Sequence, residues 1–426
     1  MSDASMITLS NFQIVHYFLA VSALLISAHV FGYLFSRYKL PRVIGEIVGG
    51  LVLGPSLLGF LFPDIYSFIF NAFPEQGSLI SVVYELGLIL LMFISGFEVQ
   101  KSLDRDDSKI IIILMICSTL IPFIGGWLVS SYYDLSFLLG PRGNMIALQI
   151  VFATSVAVTS IPVISKIFID LKLTQTRFAK VVLGAATIHD LILYVALAVA
   201  TGLVGGITPT FSSIATVIAM TVLLFVISLV FITRVLKFAS GWKYNVLQKS
   251  SPTGYALFIC FLFAAVATTL NVNVMFGAFI AGICIGVLPN KSLEAEKESI
   301  KSFSLALFIP IYFAIVGLQI DLIHNFDVVF FLAFLLASTL LEVLGTLVAA
   351  RLSRLEWKSS INLAVVMNAR GGPGIVLATI ALAAGIINEN FFVTLVMSAI
   401  VTSLFAGWWL RRRTQEKEEL LKKQKS

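Results

Sequence analysis

The stretch AATIHDLI (residues 185–192) places a histidine and an aspartate inside an apolar run that extends from about residue 178 to residue 203. A charged aspartate at the centre of a membrane helix is unfavourable by about 2.5–3.5 kcal/mol, so such a residue is a candidate functional group. A helix end would solvate the pair, but apolar residues flank it on both sides. We therefore predict that Asp190 is the functional centre of a membrane protein.

Composition supports a chain that crosses the membrane many times. Hydrophobic residues make up 58% and charged residues 12% of the chain, and the mean hydropathy is +0.99. Soluble domains carry about 25% charged residues, so that class is excluded. Cys117, Cys260 and Cys284 lie in apolar runs without a CxxC motif, and they predict neither a disulfide nor a metal site. The first apolar run has no basic region before it, so we expect it to be retained.

Runs of about 17–25 apolar residues are long enough to cross a bilayer as helices. In this all-α chain we predict thirteen such spans, at about residues 12–35, 41–62, 78–99, 109–132, 144–168, 178–203, 208–233, 253–271, 273–288, 302–318, 328–350, 359–385 and 391–410. The second and the ninth are short and rich in glycine. Residues 64–76 are expected to form a surface helix.

The positions of the basic residues test this count, because cytoplasmic loops carry an excess of lysine and arginine. With the N-terminus outside, the thirteen spans place nearly all of the 29 basic residues on the inner side. Only Arg142 falls outside, and Arg370 falls within a span. We therefore predict an integral protein of the cytoplasmic (inner) membrane with its N-terminus outside and its C-terminus inside. We attribute the net charge of +6 to the basic residues that orient the protein in the membrane, and we expect no nucleic-acid partner.

A repeat relates the two halves of the chain. VIGEIVGGLVLG in the second span and MFGAFIAGICIG in the ninth share the spacing of their glycines, and Gly96 in the third span matches Gly317 in the tenth. Each pair is offset by seven spans, and an odd offset gives the two copies opposite orientations, as in secondary transporters. We predict an extracytoplasmic N-terminus at 1–11, inverted repeats of six helices at 12–203 and 253–410, a linker helix and cytoplasmic loop at 204–252, and a charged cytoplasmic tail at 411–426.

Two spans in corresponding positions are predicted to be broken helices. The fifth contains ATSVAVTSIP, which ends at Pro162, and the twelfth contains NARGGPG, with Gly371, Gly372 and Pro373. Proline removes a backbone donor and clashes with the preceding turn. Polar groups that are freed at membrane depth must be satisfied by protein, water or an ion. Paired breaks of this kind indicate a transport site near the repeat interface.

Charged residues within other spans need partners. Arg370 lies beside the second break and cannot lose its proton in a protein. Glu85 in the third span and Glu342 in the eleventh are its candidate partners, so we predict a core charge network of these three residues. Glu46, near one end of the second span, is expected at the membrane interface, and His29 in the first span is expected to pack or to face lipid.

The chain resembles the monovalent cation:proton antiporter superfamily, especially the Kef-type and Na+/H+ exchanger membrane domains of its second family. The motifs that carry the resemblance are, in order, PRVIGEIVGGLVLGPSLLG (41–59), ELGLILLMFISGFEV (85–99), ATSVAVTSIPVISKI (153–167), IHDLI (188–192), GAFIAGICIG (277–286), PIYFAIVGLQIDL (310–322) and NARGGPGIVLA (368–378). It implies a homodimer in membrane lipid with a mobile six-helix core, in which the fifth and twelfth spans cross at their unwound centres beside the acid of the sixth.

The resemblance implies a secondary active antiporter, not an enzyme, that exchanges Na+ or K+ for protons by alternating access and needs no cofactor. Burial disfavours the charged form of a carboxylate. A proton or a cation must therefore neutralise Asp190 before the core moves. Thr154, Ser155 and freed carbonyls supply hard oxygen ligands for a monovalent cation at Asp190.

Two positions depart from the relatives' pattern. The relatives commonly have Asp, Asn or Gln where this chain has His189, and often have lysine where it has Glu342. An aspartate pair with that lysine resembles the electrogenic arrangement, so its absence favours electroneutral exchange of one cation for one proton. Histidine titrates near neutral pH, which makes His189 a candidate for coupling transport to pH.

Other functions remain open from the sequence. A Kef-like potassium efflux channel or transporter would use the same crossing and the same acid, although the short charged tail disfavours the ligand-gated version. No HExxH motif and no Ser/His/Asp spacing points to an embedded enzyme. The choice among Na+, K+ and Li+ also stays open, because hydroxyl and carbonyl oxygens serve all three.

Overall fold

A computed structural model describes the chain over residues 9–38, 40–98, 107–160, 163–164, 167–168, 171–173, 176–204, 219, 223, 226–241, 245–270, 274–288, 292–415 and 420–421. Pro162 and most of the predicted seventh span lie outside these residues. The helix that carries Asp190 is described, but the side chain of Asp190 is not.

The described residues form an all-α structure, as predicted. The helices are α1 (Asn11–Arg37), α2 (Arg42–Leu53), α3 (Pro63–Phe70), α4 (Gln76–Glu98), α5 (Ser108–Tyr132), α6 (Met145–Val156), α7 (Arg177–Gly202), α8 (Thr233–Gly241), α9 (Val246–Ser250), α10 (Pro252–Thr269), α11 (Val274–Gly286), α12 (Ser292–Ala306), α13 (Phe308–Leu318), α14 (Val328–Leu352), α15 (Trp357–Met367), α16 (Gly371–Ala383) and α17 (Glu389–Gln415). Single π-helical turns at Pro55–Gly59 and Ser228–Ile232 extend α2 and precede α8.

Among the described residues, nine helical segments are long and apolar enough to cross a membrane: Asn11–Arg37, Arg42–Gly59, Gln76–Gly96, Ser108–Tyr132, Pro252–Thr269, Ala295–Leu318, Val328–Leu352, Trp357–Ala383 and Glu389–Gln415. Shorter apolar helices lie at Met145–Val156, Ile192–Gly202 and Val274–Gly286. Together they overlap every predicted span except the seventh, so the count of thirteen stays a prediction. The helix α3 is too short to span, as expected of a surface helix.

Side-chain caps determine where several helices begin. At the start of α1, Ser10 and Gln13 form a reciprocal capping box. The side chain of Asn144 accepts from the third residue of α6, and Asp327 does the same for α14. Such oxygens satisfy backbone N–H groups that have no partner within the helix. The apolar runs are thereby divided into helices close to the predicted boundaries.

Glycines allow helices of the two halves to touch backbone to backbone. A Cβ atom on Gly50 of α2 would lie 1.7 Å from the carbonyl oxygen of Ala314 in α13, and one on Gly317 would lie 1.9 Å from the oxygen of Ile47. No side chain fits at either position. The two helices are therefore in contact along their backbones, which is the close packing that small residues permit in membranes.

The same contact recurs between α11 and α4. A Cβ atom on Gly282 would lie 2.1 Å from the oxygen of Phe93, and one on Gly96 would lie 2.4 Å from the oxygen of Phe279. Gly282 holds the same place in its motif as Gly50, so equivalent residues make equivalent contacts with the partners exchanged. This is the packing that an offset of seven spans predicts. The boundaries of the two repeats stay predictions.

The helices pack into two groups. We call α1, α2, α4, α10, α11 and α13 the scaffold bundle, because each packs against at least one other member through close helix contacts. We call α5, α6, α7 and α14–α17 the crossing bundle, since these helices either form the two broken spans or pack against them. Both predicted helix breaks belong to the crossing bundle.

Candidate functional site

The two broken spans meet in the crossing bundle. α6 ends at Val156, and residues 157–160 continue without helical structure. They lie against the gap between α15 and α16, where the amide of Ser160 donates to the carbonyl of Ala369 over 2.7 Å. The hydroxyl of Thr159 also donates to the carbonyl of Met367 over 2.7 Å. The crossing of the fifth and twelfth spans is therefore present in the described part of the chain.

Hydroxyl groups satisfy the start of α16. The first N–H groups of a helix have no partner within it. Here three successive amides donate to three buried hydroxyls: Arg370 to Thr402 over 3.3 Å, Gly371 to Ser403 over 3.1 Å, and Gly372 to Ser160 over 3.1 Å. The positive end of the α16 dipole is thus fixed at the crossing.

The predicted hydroxyl ligands lie on the last turn of α6. Thr154 is 4% exposed and Ser155 is 2% exposed. Thr154 donates its hydroxyl proton to the carbonyl of Ile150 over 2.6 Å, and Ser155 donates to Phe152 over 2.7 Å. Each oxygen therefore keeps its lone pairs for a cation or for another donor.

The helix α7, which carries the central acid, is anchored at its first residue. Arg177 binds Asp107, at the start of α5, through Nε over 2.8 Å and through Nη2 over 2.5 Å. The hydrogen bonds with Asp107 raise the pKa of Arg177 above its usual value. Paired bonds of this kind fix geometry as well as charge.

Farther along α7, His189 is 3% exposed and contacts α5. Its Nε2 lies 3.0 Å from the hydroxyl of Ser118. That hydroxyl donates its own proton to the carbonyl of Leu114 over 2.6 Å, so the ring nitrogen is the donor to Ser118. His189 therefore holds α7 against α5.

Asp190 follows His189 on α7, in helical backbone. This helix packs against α6 and against both twelfth-span helices, α15 and α16. The side chain of Asp190 lies outside the described residues, so its contacts with Thr154 and Ser155 stay a prediction.

Two of the three predicted charge partners come together behind the crossing. Arg370 and Glu342 are both buried, and the charge of each is the strongest electrostatic influence on the other. Arg370 donates from Nη1 to the hydroxyl of Ser338, one turn before Glu342 on α14, over 2.6 Å. Its Nη2 donates to Asn368 over 3.3 Å. The arginine thus links α14 to the unwound centre of the twelfth span.

Glu85 does not join this cluster. Its side chain is exposed on α4, on the helix face that also exposes Ser78 and Val82. Neighbouring Tyr84 points the other way and packs against Tyr312. The sequence placed Glu85 within a span but could not tell which face of the helix would be buried.

A cavity of about 240 Å³ connects the scaffold bundle with the crossing. Gly372 and Pro373, at the start of α16, line it together with Tyr194 of α7. Arg42 and Glu46 of α2 line it as well. Most of the remaining lining residues are apolar, so the cavity joins a charged pair to the start of α16 through mainly apolar walls.

Sequence reasoning did not identify the burial of Glu46 or its pairing with Arg42. The structure places it 4% exposed, with its Oε1 2.8 Å from Nε of Arg42, and its place at the membrane interface stays a prediction. The i, i+4 spacing of Arg42 and Glu46 was a signal for this pair. The hydroxyl groups of Ser160, Thr402 and Ser403 gave no signal, because hydroxyl residues are common in apolar helices.

Comparison with known proteins places this architecture in a family. The family described as "Sodium/hydrogen exchanger, transmembrane" matches residues 24–414. The Na(+)/H(+)-K(+) antiporter GerN of Bacillus cereus is 26% identical over 96% of this chain and 99% of its own length. The Na(+)/H(+) antiporter NhaS4 of Synechocystis sp. is 28% identical over 89% of this chain and 92% of its own length.

Two further comparisons extend this picture. K(+)/H(+) antiporter 1 of Saccharomyces cerevisiae is 30% identical over 87% of this chain, which spans 43% of the yeast protein. Among solved structures, the sodium proton antiporter MjNhaP1 from Methanocaldococcus jannaschii has the same fold, with a TM-score of 0.69 at 16% identity over 95% of this chain and 99% of its own. The resemblance stated from the motifs is confirmed. The chain therefore belongs to the transmembrane sodium/hydrogen exchanger family, whose members are integral membrane transporters and not enzymes.

Proposed function

We propose that this protein is a secondary active antiporter that exchanges a monovalent cation, Na+ or K+, for protons, with Asp190 as the shared binding group. The observation that carries the proposal is the crossing of the two broken spans next to a cavity and beside α7. The names of GerN and of the yeast relative, which include Na+ and K+, support both ions as substrates.

Charge compensation at the crossing supports this mechanism. The C-terminal ends of α6 and α15 and the N-terminal end of α16 meet there, so partial charges of both signs surround the site. Thr154 and Ser155 supply oxygen atoms with free lone pairs, which suit a hard alkali cation. A cation or a proton on Asp190 neutralises it, and only the neutral site moves between the two sides of the membrane.

The scaffold bundle is proposed as the fixed part and the crossing bundle as the moving part. Backbone contacts at Gly50 and Gly282 leave the scaffold helices no room to slide. The mainly apolar cavity separates them from the start of α16. Motion of the crossing bundle along this boundary would open Asp190 to each side in turn.

Exchange is proposed to be electroneutral, with one cation for one proton. The guanidinium of Arg370 keeps its proton throughout, and neither Arg370 nor Glu342 is proposed to carry an ion through the cycle. Asp190 alone then changes its occupant in each cycle.

The protein is proposed to lie in the cytoplasmic membrane, with its N-terminus outside and its C-terminus inside. It is also proposed to be a homodimer. Glu85 lies near the middle of α4 with an exposed side chain, and a charged group in contact with lipid is unfavourable. A second copy packed on this face of the scaffold bundle would cover it.

The deciding experiment is cation-driven proton movement in proteoliposomes, followed with a pH-sensitive dye. Purified wild-type protein is expected to respond to Na+ or K+, and Asp190→Asn is expected to give no response. Asp64→Asn, which removes an exposed carboxylate from α3, is the matched control and should behave as wild type.

Exchange retained by Asp190→Asn would overturn the assignment of this residue. The same assay with an imposed membrane potential tests the stoichiometry, because an electroneutral cycle is insensitive to voltage. Currents far above carrier rates would point to the channel alternative instead.

A further inference from the structure

Three side chains on α1 and α2 form a chain of contacts beside this cavity. Arg42 donates from Nε to Oε1 of Glu46 over 2.8 Å and from Nη2 to Nδ1 of His29 over 2.8 Å. Glu46 is buried and lines the cavity, whereas the side chain of Arg42 is 44% exposed. The arginine therefore stands between the surrounding solution and the buried carboxylate.

The contacts of His29 determine which ring nitrogen carries a proton. Its Nε2 lies 2.9 Å from the carbonyl oxygen of Ala306, the last residue of α12. A carbonyl only accepts, so Nε2 must carry hydrogen. The guanidinium of Arg42 only donates, so Nδ1 must be a free acceptor. Only the neutral imidazole satisfies both contacts.

Protonation of His29 would break this arrangement. Nδ1 would become a donor that faces another donor, with two positive charges about one hydrogen-bond length apart. Arg42 would then keep Glu46 as its only acceptor in the set. The set of three side chains would gain one positive charge, and Glu46 would be more fully occupied by the arginine.

The space for this set is built into α1. A Cβ atom on Gly32 would lie 3.2 Å from Cγ of Arg42 and 3.2 Å from Cγ of Glu46. The glycine thus lets both side chains lie against the helix that carries His29. The chain of contacts joins α1, α2 and the end of α12.

Other charged groups lie on the helices that pack against α1 and on α12. The helices packed on α1 are α2, α3, α4 and α13, and α13 contains no charged residue. Asp64 of α3 and Glu85 of α4 are exposed. α3 and the start of α4 meet α1 near His16, toward the other end of that helix. The charged side chains described on α12, earlier than Ala306, are Glu296, Lys297, Glu298 and Lys301.

We propose that Glu46 is the first binding site for the cation as it enters this cavity, and that His29, acting through Arg42, controls whether Glu46 is free to receive it. The ligand is a hydrated alkali cation, which prefers hard oxygen donors such as a carboxylate. The inference rests on the proposed antiport through this cavity. It adds a second ion-binding position and a sensor of pH on the Arg42 side of the protein.

The sign of the pH effect follows from the charges. Histidine changes its charge between about pH 5 and pH 8. With the ring neutral, Arg42 is shared between His29 and Glu46. With the ring protonated, the set gains one positive charge and the arginine occupies Glu46. The apparent affinity for the cation on this side therefore falls as the pH falls, in addition to proton competition at Asp190.

Two substitutions of His29 separate the charge states. In His29→Gln, the amide oxygen accepts from Arg42 and the amide nitrogen donates to Ala306, so the neutral arrangement persists at every pH. In His29→Lys, a permanent cationic donor imitates the protonated ring. Glu46→Gln removes the proposed ligand. His16→Gln changes the other histidine of α1, which bonds only to the carbonyl of Phe12, and is the matched control.

The measurement is the apparent KM for Na+ and for K+ in inside-out membrane vesicles, at about pH 6 and about pH 8.5. Loss of one partly screened charge interaction weakens the binding of a cation about five-fold. His29→Lys and Glu46→Gln should therefore raise KM about five-fold at alkaline pH with little change in kcat. In His29→Gln, the increase in KM from alkaline to acidic pH should be smaller than in the wild type by about the same factor. His16→Gln should leave KM at both pH values unchanged.

A wild-type pH dependence of KM in His29→Gln, or a wild-type KM in Glu46→Gln at alkaline pH, would overturn the inference. Should Glu46→Gln fail to assemble, as judged by gel filtration, the two His29 variants decide the question alone. Absence of exchange in the wild type would contradict the proposed function itself, so the two failures are distinguishable.

Discussion

The scaffold bundle and the crossing bundle are held together by different means. In the scaffold bundle, Gly50, Gly96, Gly282 and Gly317 bring backbones into direct contact, with no space for a side chain. In the crossing bundle, hydroxyl groups such as that of Ser160 bond backbone groups that the broken helices leave without partners. The closest backbone contacts lie in the scaffold bundle, whereas hydroxyl–backbone bonds gather at the crossing.

This difference matches the proposed division of labour. Steric contact between backbones has a steep distance dependence, so it resists small displacements. Bonds between hydroxyls and backbone groups keep polar atoms satisfied at membrane depth while leaving oxygen lone pairs for an ion. A fixed frame and a site that changes its occupant need these two kinds of packing.

The largest effect is expected in the scaffold bundle. Gly50→Leu would place side-chain atoms on the carbonyl of Ala314, where even a Cβ atom would lie at 1.7 Å. Because a backbone cannot move aside as a side chain can, we expect destabilisation above about 4 kcal/mol and loss of folded protein. Melting followed by fluorescence in detergent measures it. Gly77→Ala, where nothing lies within 4 Å, is the control and should be neutral or stabilising.

The next effect is expected at the buried charges of the crossing bundle. Glu342→Gln leaves the guanidinium of Arg370 buried without its compensating charge, so we expect a loss of about 3 kcal/mol. The double variant Glu342→Gln/Arg370→Gln should lose less than the sum of the two single variants. Additive losses would show that the two charges do not interact. Glu298→Gln, which changes an exposed carboxylate on α12, should leave the melting temperature unchanged.

The smallest stability effect is expected at the crossing itself. Ser160→Ala removes the acceptor for the amide of Gly372 and leaves that buried group without its bond. We expect a loss of about 1–2 kcal/mol. The exchange rate should also fall, because the start of α16 is no longer fixed at the site. Ser81→Ala removes an exposed hydroxyl that bonds within α4 and should affect neither quantity. A wild-type exchange rate in Ser160→Ala would show that this bond does not position the site.

The equivalence of the two halves was predictable from the sequence. The glycine spacings in the second and ninth spans predicted related helices, and Gly50 and Gly282 do make equivalent contacts. The partners of these glycines were not predictable. Spacing within one helix indicates a flat face, whereas the helix that covers it is fixed by the path of the chain.

For the charged residues as well, the sequence indicated that a partner was needed and the structure showed which residue it is. Sequence alone indicated that Arg370 needs a buried acid, because an arginine keeps its charge. It offered Glu85 and Glu342 equally, and only the rotation of α4 and α14 placed one outside and the other inside. Likewise the i, i+4 spacing indicated a pair of Arg42 and Glu46 but not that His29 shares the arginine, since the contacts of His29 join three separate helices.

Sequence alone was enough to identify a helical membrane protein of the antiporter class and to predict its site residues on the fifth, sixth and twelfth spans. The reason is that an aspartate and two helix breaks within apolar spans are unfavourable in a bilayer unless they have a function. The tertiary structure alone decided which hydroxyls satisfy the breaks, which acid accompanies Arg370, and that Glu46 faces the same cavity as the crossing. Those choices depend on helix rotation and on contacts between residues far apart in the chain, which local pattern does not encode.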